Sequence, residues 1–593
     1  MRRASLAVTL ASTLLALTAC AAESPPDEGP WDLLIAGGTV IDGTGADRYA
    51  ADVAVRGDRI VRVSRAPLPA DRAERVIDAS GRVVAPGFID MHAHLDPLLR
   101  LPAAESHVRQ GVTTAVGGPD GGGPYPIGEH LDSAAALGIG MNVAYLVGHN
   151  TVRRRVMGTE DRAPTAAELE EMKALVARAM GEGAFGISTG LKYVPGAYSE
   201  IDEVVELSRV AADSGGIYTS HLREEGLGLI DAVAEAIEIG RRAEIPVVLT
   251  HHKAVGQPMW GGSERTLAMV DSARQAGIDV MMDQYPYTAT YTGITVLIPA
   301  WAQAGGSDAF LDRVADPALR DSIVDGIVFN ILNDRGGGDL RRVQLASVEW
   351  DRSLEGRTLH DWAVREGMEP SPETGAELVI EAVRRGGARA IYHVLDEADV
   401  ERIMRHPQTM IASDGRLTHP GEGHPHPRWY GTFPRVLGHY VRERGVLGLE
   451  DAVRKMSGLP AERLGLDDRG RIARDAFADL VVFDPETVID RATFEDPHRY
   501  PEGIEYVVVN GAVAVDAGEF VDVRAGRVLW RVQPAEAAVT AARVAGDAEF
   551  AVGAATEVVA EIAVCAGTAG PPPLGDPPGH GGGWPSMPLW EHA

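Results

Sequence analysis

The sequence predicts an α/β protein built on a TIM-like (β/α)8 barrel, with a small β-sandwich domain formed from the two segments that flank it. Three observations predict this. Between residues 86 and 464, short apolar runs alternate with amphipathic stretches, as in parallel strands joined by helical crossovers. Eight such runs end near His94, Gly117, His149, Lys192, His221, His251, Tyr285 and Asp414, the strand number of a barrel whose functional residues sit at the strands' C-terminal ends. Apolar strands separated by Gly/Asp turns occupy 32–85 and return at 465–532, and two β segments around a long middle section most simply share one domain.

With 593 residues and 45% hydrophobic content, the chain can bury one large core and a smaller one. The formal net charge of -29 argues against sequence-independent nucleic-acid binding, which needs a basic surface, and disfavours direct adsorption to anionic lipid. Lysine occurs only at 173, 192, 253 and 455 among 56 Lys and Arg residues. A lysine at a candidate site is therefore informative, because arginine cannot be deprotonated or carboxylated at neutral pH.

Residues 1–20 read as a bacterial export signal, with Arg2 and Arg3 ahead of an apolar run over 6–17 that is too short to span a bilayer. The run ends in Leu17-Thr18-Ala19-Cys20, which resembles a lipobox. That resemblance implies cleavage before Cys20, lipidation of its thiol and anchoring on the extracytoplasmic or periplasmic face of a membrane. Cys565 is the only other cysteine, so with Cys20 lipidated no intrachain disulfide framework exists. Residues 21–31 read as a linker. The first β segment carries strands near 33–36, 52–55, 59–63 and 82–84, and the second near 479–483, 506–511 and 512–515. Residues 533–593 form a low-complexity tail with Pro571-Pro572-Pro573 and Gly581-Gly582-Gly583, to which no chemistry is assigned.

The candidate chemistry follows the barrel strands. In Asp90-Met91-His92-Ala93-His94, strand alternation places His92 and His94 on one face, where two imidazoles suit a divalent metal. The turn Gly117-Gly118-Pro119-Asp120-Gly121 offers Asp120 as a ligand or merely as a turn-former. Lys192 ends the fourth run. Its ammonium would repel a metal, so a ligand role requires carboxylation to a carbamate. His221 ends the fifth run and His251-His252 the sixth; neighbours face opposite ways, so at most one of the pair joins His221. Asp414, after the eighth run, can accept a proton from an activated water. A single histidine at a strand end is usually an ordinary polar residue; this series of them is not.

The order His-x-His, Lys, His, His, Asp resembles the amidohydrolase superfamily, metal-dependent barrel hydrolases with a β-sandwich made from both termini. Within it, Gly111-Val112-Thr113-Thr114, Gly148-His149-Asn150-Thr151, the run from Ser188 to Gly196, the run from Thr219 to Gly226, Leu249-Thr250-His251-His252-Lys253 and Ala412-Ser413-Asp414-Gly415 resemble the N-acyl-D-amino-acid deacylase (D-aminoacylase) family. The likeness runs from about Leu33 to Trp530. It implies a zinc-dependent hydrolase acting on a small-molecule N-acyl-D-amino acid, with one or two zinc ions. His221 and His251 become core zinc ligands, and His92 and His94 complete or modulate the site. Asp414 becomes the catalytic acid/base, and Lys253, Tyr285 and Arg428 bind substrate. The family often places cysteine where this chain has Asp120. Either Asp120 replaces that ligand, or a carboxylated Lys192 bridges two metals; the scarcity of lysine favours the bridge. Cyclic-amide hydrolysis of the dihydroorotase or hydantoinase type, isoaspartyl dipeptidase activity and a non-enzymatic metal-binding lipoprotein are the alternatives. The acyl group, the side chain and the oligomeric state are not legible.

Overall fold

The structure, a computed structural model, describes residues 29–531. The expected export signal, Cys20, most of the linker and the tail lie outside these residues. Strands Trp31–Val40, Tyr49–Arg56, Arg59–Ser64, Ala73–Asp78 and Val83–Pro86 join Leu480–Phe483, Ile504–Val509, Ala512–Asp516 and Glu519–Phe520 in one nine-stranded sheet. The two ends of the chain meet where Val83–Pro86 runs antiparallel to Leu480–Phe483, with Val84 opposite Val482. Period-two alternation divides the faces. Leu480 and Val482 pack with Leu33, Ile35, Val53 and Val55 in the sheet's own core, whereas Val481 and Phe483 join Phe88 and Val112 in the barrel core.

The eight barrel strands are Phe88–Asp90, Val112–Gly117, Asn142–Tyr145, Gly186–Gly190, Ile217–His221, Val247–Leu249, Val280–Gln284 and Thr409–Ile411. Neighbours pair in parallel in this order. The third meets the fourth through Phe185 N donating to Tyr145 O (2.8 Å). The eighth returns to the first through Asp414 N on His92 O (2.9 Å) and the short parallel pair Gly415–Arg416 with Ala93–His94. All eight are buried, as strands covered on both faces must be.

Between the seventh and eighth strands the chain builds an inserted module that the barrel pattern gave no sign of. It holds a three-stranded antiparallel sheet, Thr290–Gly293, Val343–Ser347 and Arg389–Tyr392, and helices that include Gly306–Ala315, Pro317–Asn333, Leu359–Arg365 and Pro372–Arg384. Two helix starts follow local chemistry: Asp316 and Ser371 cap Ala318 N and Thr374 N, with proline at the first helical position. The module buries its own core, including Ile323, Ile327, Ile331, Leu345 and Trp362. After the sheet, residues 527–529 lie along the third strand, where Val143 N donates to Arg527 O and Leu529 N to Val143 O. Among the described residues no helix is long and apolar enough to cross a membrane.

Candidate metal centre

Six side chains converge at the C-terminal mouth of the barrel. His92 Nε2 and His94 Nε2 lie 3.4 and 3.5 Å from Asp120 Oδ2, and 3.7 and 3.2 Å from Asp414 Oδ1. On the other side of Asp120, Oδ1 lies 3.7 Å from His221 Nδ1 and 3.2 Å from His251 Nε2, and those two nitrogens are 2.7 Å apart. Two donor groups result, His92, His94, Asp120 and Asp414 on one side and Asp120, His221 and His251 on the other, with Asp120 common to both.

Local structure explains why each residue arrives. Asp120, His251 and Asp414 all have positive φ (54°, 37° and 45°), three of eight such non-glycine residues among those described. This left-handed conformation is uncommon for side-chain-bearing residues and clusters where structure over-determines it. The constraints are visible. Asp283, at the end of the seventh strand, accepts His251 N at 2.6 Å. Asp90 accepts both His92 N (3.2 Å) and Ser413 N (2.9 Å), tying the first strand to the segment that carries Asp414. Ser188 holds the Asp120 turn by donating to Gly118 O (2.6 Å) and accepting Gly121 N (3.1 Å). A Cβ at Gly190 would lie 2.1 Å from Asp120 O, so the Ser-Thr-Gly of the fourth strand is a cradle for that turn.

The donor set fits a divalent cation. His92 Nε2, His221 Nε2 and Asp120 Oδ1 are buried without a hydrogen-bond partner among the described residues, which is costly for a purely structural cluster. Imidazole nitrogen and carboxylate oxygen are zinc's usual protein donors besides thiolate. Burial alone would lower His94 and His251, yet Asp120 with Asp414, and Asp120 with Glu225, raise them to about 9. Burial pushes His221 down to about 4, leaving it neutral. Against burial, Arg428 and the histidines hold Asp414 well below the usual carboxylate range, so it is ionised.

The structure does not bring Lys192 into this cluster. The fourth strand ends at Gly190 and a turn follows, with Tyr193 N on Gly190 O. This sends Lys192 Nζ to Glu224 Oε2 (2.7 Å) and Asp334 Oδ2 (3.1 Å), carboxylates outside both donor groups. Burial alone would lower its pKa; Asp334 and Glu224 instead raise it. The shared position belongs to Asp120. His149 directly follows the short strand Val147–Gly148, opens the helix His149–Met157 and pairs with Glu203. His252 points away to Thr266 Oγ1 at 2.8 Å.

The three expected substrate-binding residues surround the cluster. Lys253 Nζ lies 2.5 Å from Glu225 Oε1 and 2.7 Å from His251 Nδ1. Arg428 Nη2 lies 2.9 Å from Asp414 Oδ1, and its guanidinium stacks 4.5 Å from the Tyr285 ring centre. Tyr285 OH and Arg428 Nη1 are buried without a hydrogen-bond partner among the described residues. Sequence reasoning missed Glu225, which also accepts Arg335 at 2.9 Å and lies 3.3 Å from His251 Nδ1. Its signal was its place four residues after His221. Arg335 gave none, since it comes from the inserted module.

The pattern of the amidohydrolase family matches residues 75–515. The chain belongs to that family, and within it to the N-acyl-D-amino-acid deacylase group. It is 40% identical over 544 residues to D-aminoacylase of Alcaligenes xylosoxydans xylosoxydans, covering 86% of this chain and 99% of the relative. Among solved structures it resembles N-acyl-D-glutamate deacylase from Bordetella bronchiseptica, complexed with zinc and a phosphonate mimic of the tetrahedral intermediate. That likeness has a TM-score of 0.72 and 36% identity, covering 84% of this chain and 100% of the other. It also resembles a D-aminoacylase whose binuclear metal centre shows one-metal activation and second-metal attenuation, with TM-score 0.71, 39% identity, and 84% and 100% coverage.

Proposed function

We propose that the protein is a zinc-dependent amidohydrolase that cleaves the acyl amide of N-acyl-D-amino acids to a carboxylate and a free D-amino acid. One observation carries this: the Asp414 carboxylate, ion-paired with Arg428, stands beside His92 and His94 at the barrel mouth, with Asp120 linking that pair to His221 and His251. The D-specific substrates of the relatives support the stereochemistry. His221, His251 and Asp120 would hold one zinc; His92 and His94 with Asp120 would hold a second. A zinc ion there supplies an activated water and a polarised amide carbonyl. Asp414 takes the water's proton and returns it to the leaving nitrogen, which expels a neutral amine. Lys253, Tyr285 and Arg428 anchor the substrate carboxylate, with Glu225 fixing the lysine.

The test is hydrolysis of paired N-acetyl-D- and N-acetyl-L-amino acids by the zinc-loaded protein. The D series should be cleaved selectively, and Asp414→Asn should lower kcat about 10²–10⁴-fold while metal at His221 and His251 is retained. Hydrolysis of hydantoin or dihydroorotate instead would redirect the assignment.

The lipobox-like Leu17-Thr18-Ala19-Cys20 supports a further part of the proposal: export, with a lipid anchor on Cys20 holding the enzyme to the extracytoplasmic face. Mass spectrometry of the mature N-terminus should find acylated Cys20, and Cys20→Ala should release the protein from membranes.

A further inference from the structure

Beside the metal pocket lies a chamber of about 750 Å³, within the range that encloses a drug-sized ligand. The metal pocket itself offers about 30 Å³, space for a water or a very small group. The two share Tyr193, Thr292 and Arg389 in their linings, so the chamber lies directly alongside the metal pocket. The chamber's barrel side is formed by the loops after the fourth and fifth strands, and its far side by the inserted module.

The chamber's lining is mixed, with more apolar than polar surface. On the barrel side, charges are already committed: Lys192 to Glu224 and Asp334, and Arg223 to Glu235 at 2.8 Å. The module contributes Val296, Ile298, Pro299, Phe310, Phe329 and Val383. Phe329 is 54% exposed on the helix Pro317–Asn333 and marks the opening to solvent. Water held against such walls is unfavourable, and an apolar chain that displaces it gains affinity.

Resting on the function proposed above, we infer that this chamber receives the acyl arm of the substrate, and that the preferred acyl group is a long aliphatic chain rather than acetyl. The direction follows from the site. The carboxylate anchors Lys253, Tyr285 and Arg428 follow the sixth, seventh and eighth strands, whereas the chamber opens beside the fourth and fifth. With the amide carbonyl at the metals, the acyl arm leaves on the side away from those anchors.

The experiment compares kcat/KM for N-acetyl-, N-octanoyl- and N-dodecanoyl-D-alanine with the zinc-loaded full chain, below the detergent-forming concentration of each. A buried methylene is worth roughly three- to fourfold. The dodecanoyl substrate should therefore exceed the acetyl one by at least about 100-fold, chiefly through KM. Phe329→Asp should erase most of that ratio while leaving N-acetyl-D-alanine hydrolysis unchanged. N-acetyl-D-2-aminododecanoic acid separates the two possible long arms. If it, and not the dodecanoyl substrate, is preferred, the chamber takes the side chain and the inference is overturned. An acetyl rate equal to or above the dodecanoyl rate overturns it as well. If no member of the series is cleaved, the proposed function fails instead.

Discussion

Asp120 is the residue on which the centre turns, since each of its oxygens faces a different imidazole pair. Asp120→Ala should remove the shared ligand and leave less than one zinc per chain by elemental analysis, whereas Lys192→Arg should keep the full metal content. Retained zinc in the Asp120 variant would refute the shared-carboxylate geometry. The histidines and Asp414 were legible because alternation and strand ends suffice to place them. The choice between Asp120 and Lys192 was not, because it depends on two turns. One turns Asp120 inward through a left-handed φ, and the other carries Lys192 past the mouth to Asp334, a residue of the unforeseen module. Asp283→Ala tests how the neighbouring strain is held. Removing the acceptor of His251 N should loosen that ligand and weaken zinc affinity about 10–100-fold, measured by competition with a chelator.

Helices tied by buried charge set the next scale. Glu203 on Ile201–Asp213 is 4% exposed and accepts Arg153 Nη1 (2.6 Å) and pairs with His149 Nε2 (2.8 Å), both from His149–Met157. Burial by itself would raise the Glu203 carboxyl, but His149 and Arg153 hold it below its ordinary 4.5. A lowered carboxyl contributes stability above its unfolded pKa and loses it as pH falls through the folded value. The wild type should thus lose stability below about pH 4.5, and Glu203→Gln should show a flatter acid limb in urea melts. At pH 7 that variant should be less stable by about 3–5 kcal/mol, because Arg153 is left buried without its countercharge. The barrel strands were legible as elements because each is a short apolar run. The inserted module was not, because its strands are antiparallel and fall outside the βα rhythm that defines the rest.

At the scale of the molecule, the metal ligands come from the first, second, fifth, sixth and eighth strand ends, so bound zinc bridges parts of the ring distant in sequence. Chelation should lower the melting temperature, and zinc at 100 times its Kd should restore about 2.7 kcal/mol. An unchanged melt on chelation would show that the ring is fixed without the ions. The mixed sheet was legible in outline, since the same strand-and-turn texture appears at both ends of the chain. Its register, with Val84 opposite Val482, is set by which face meets the barrel. That pairing also has a meaning in time. While the ribosome is still at work, Leu33, Ile35, Val53 and Val55 have no Leu480 or Val482 to cover them, and the first half of the sheet stays unfinished until almost the whole message is read. A transcript cut short before the 480s leaves an open sheet edge and a bare apolar face, both marks of an aggregation-prone chain. The strand Leu480–Phe483 therefore serves as a completeness check, and products truncated before it should aggregate instead of surviving as defective barrels.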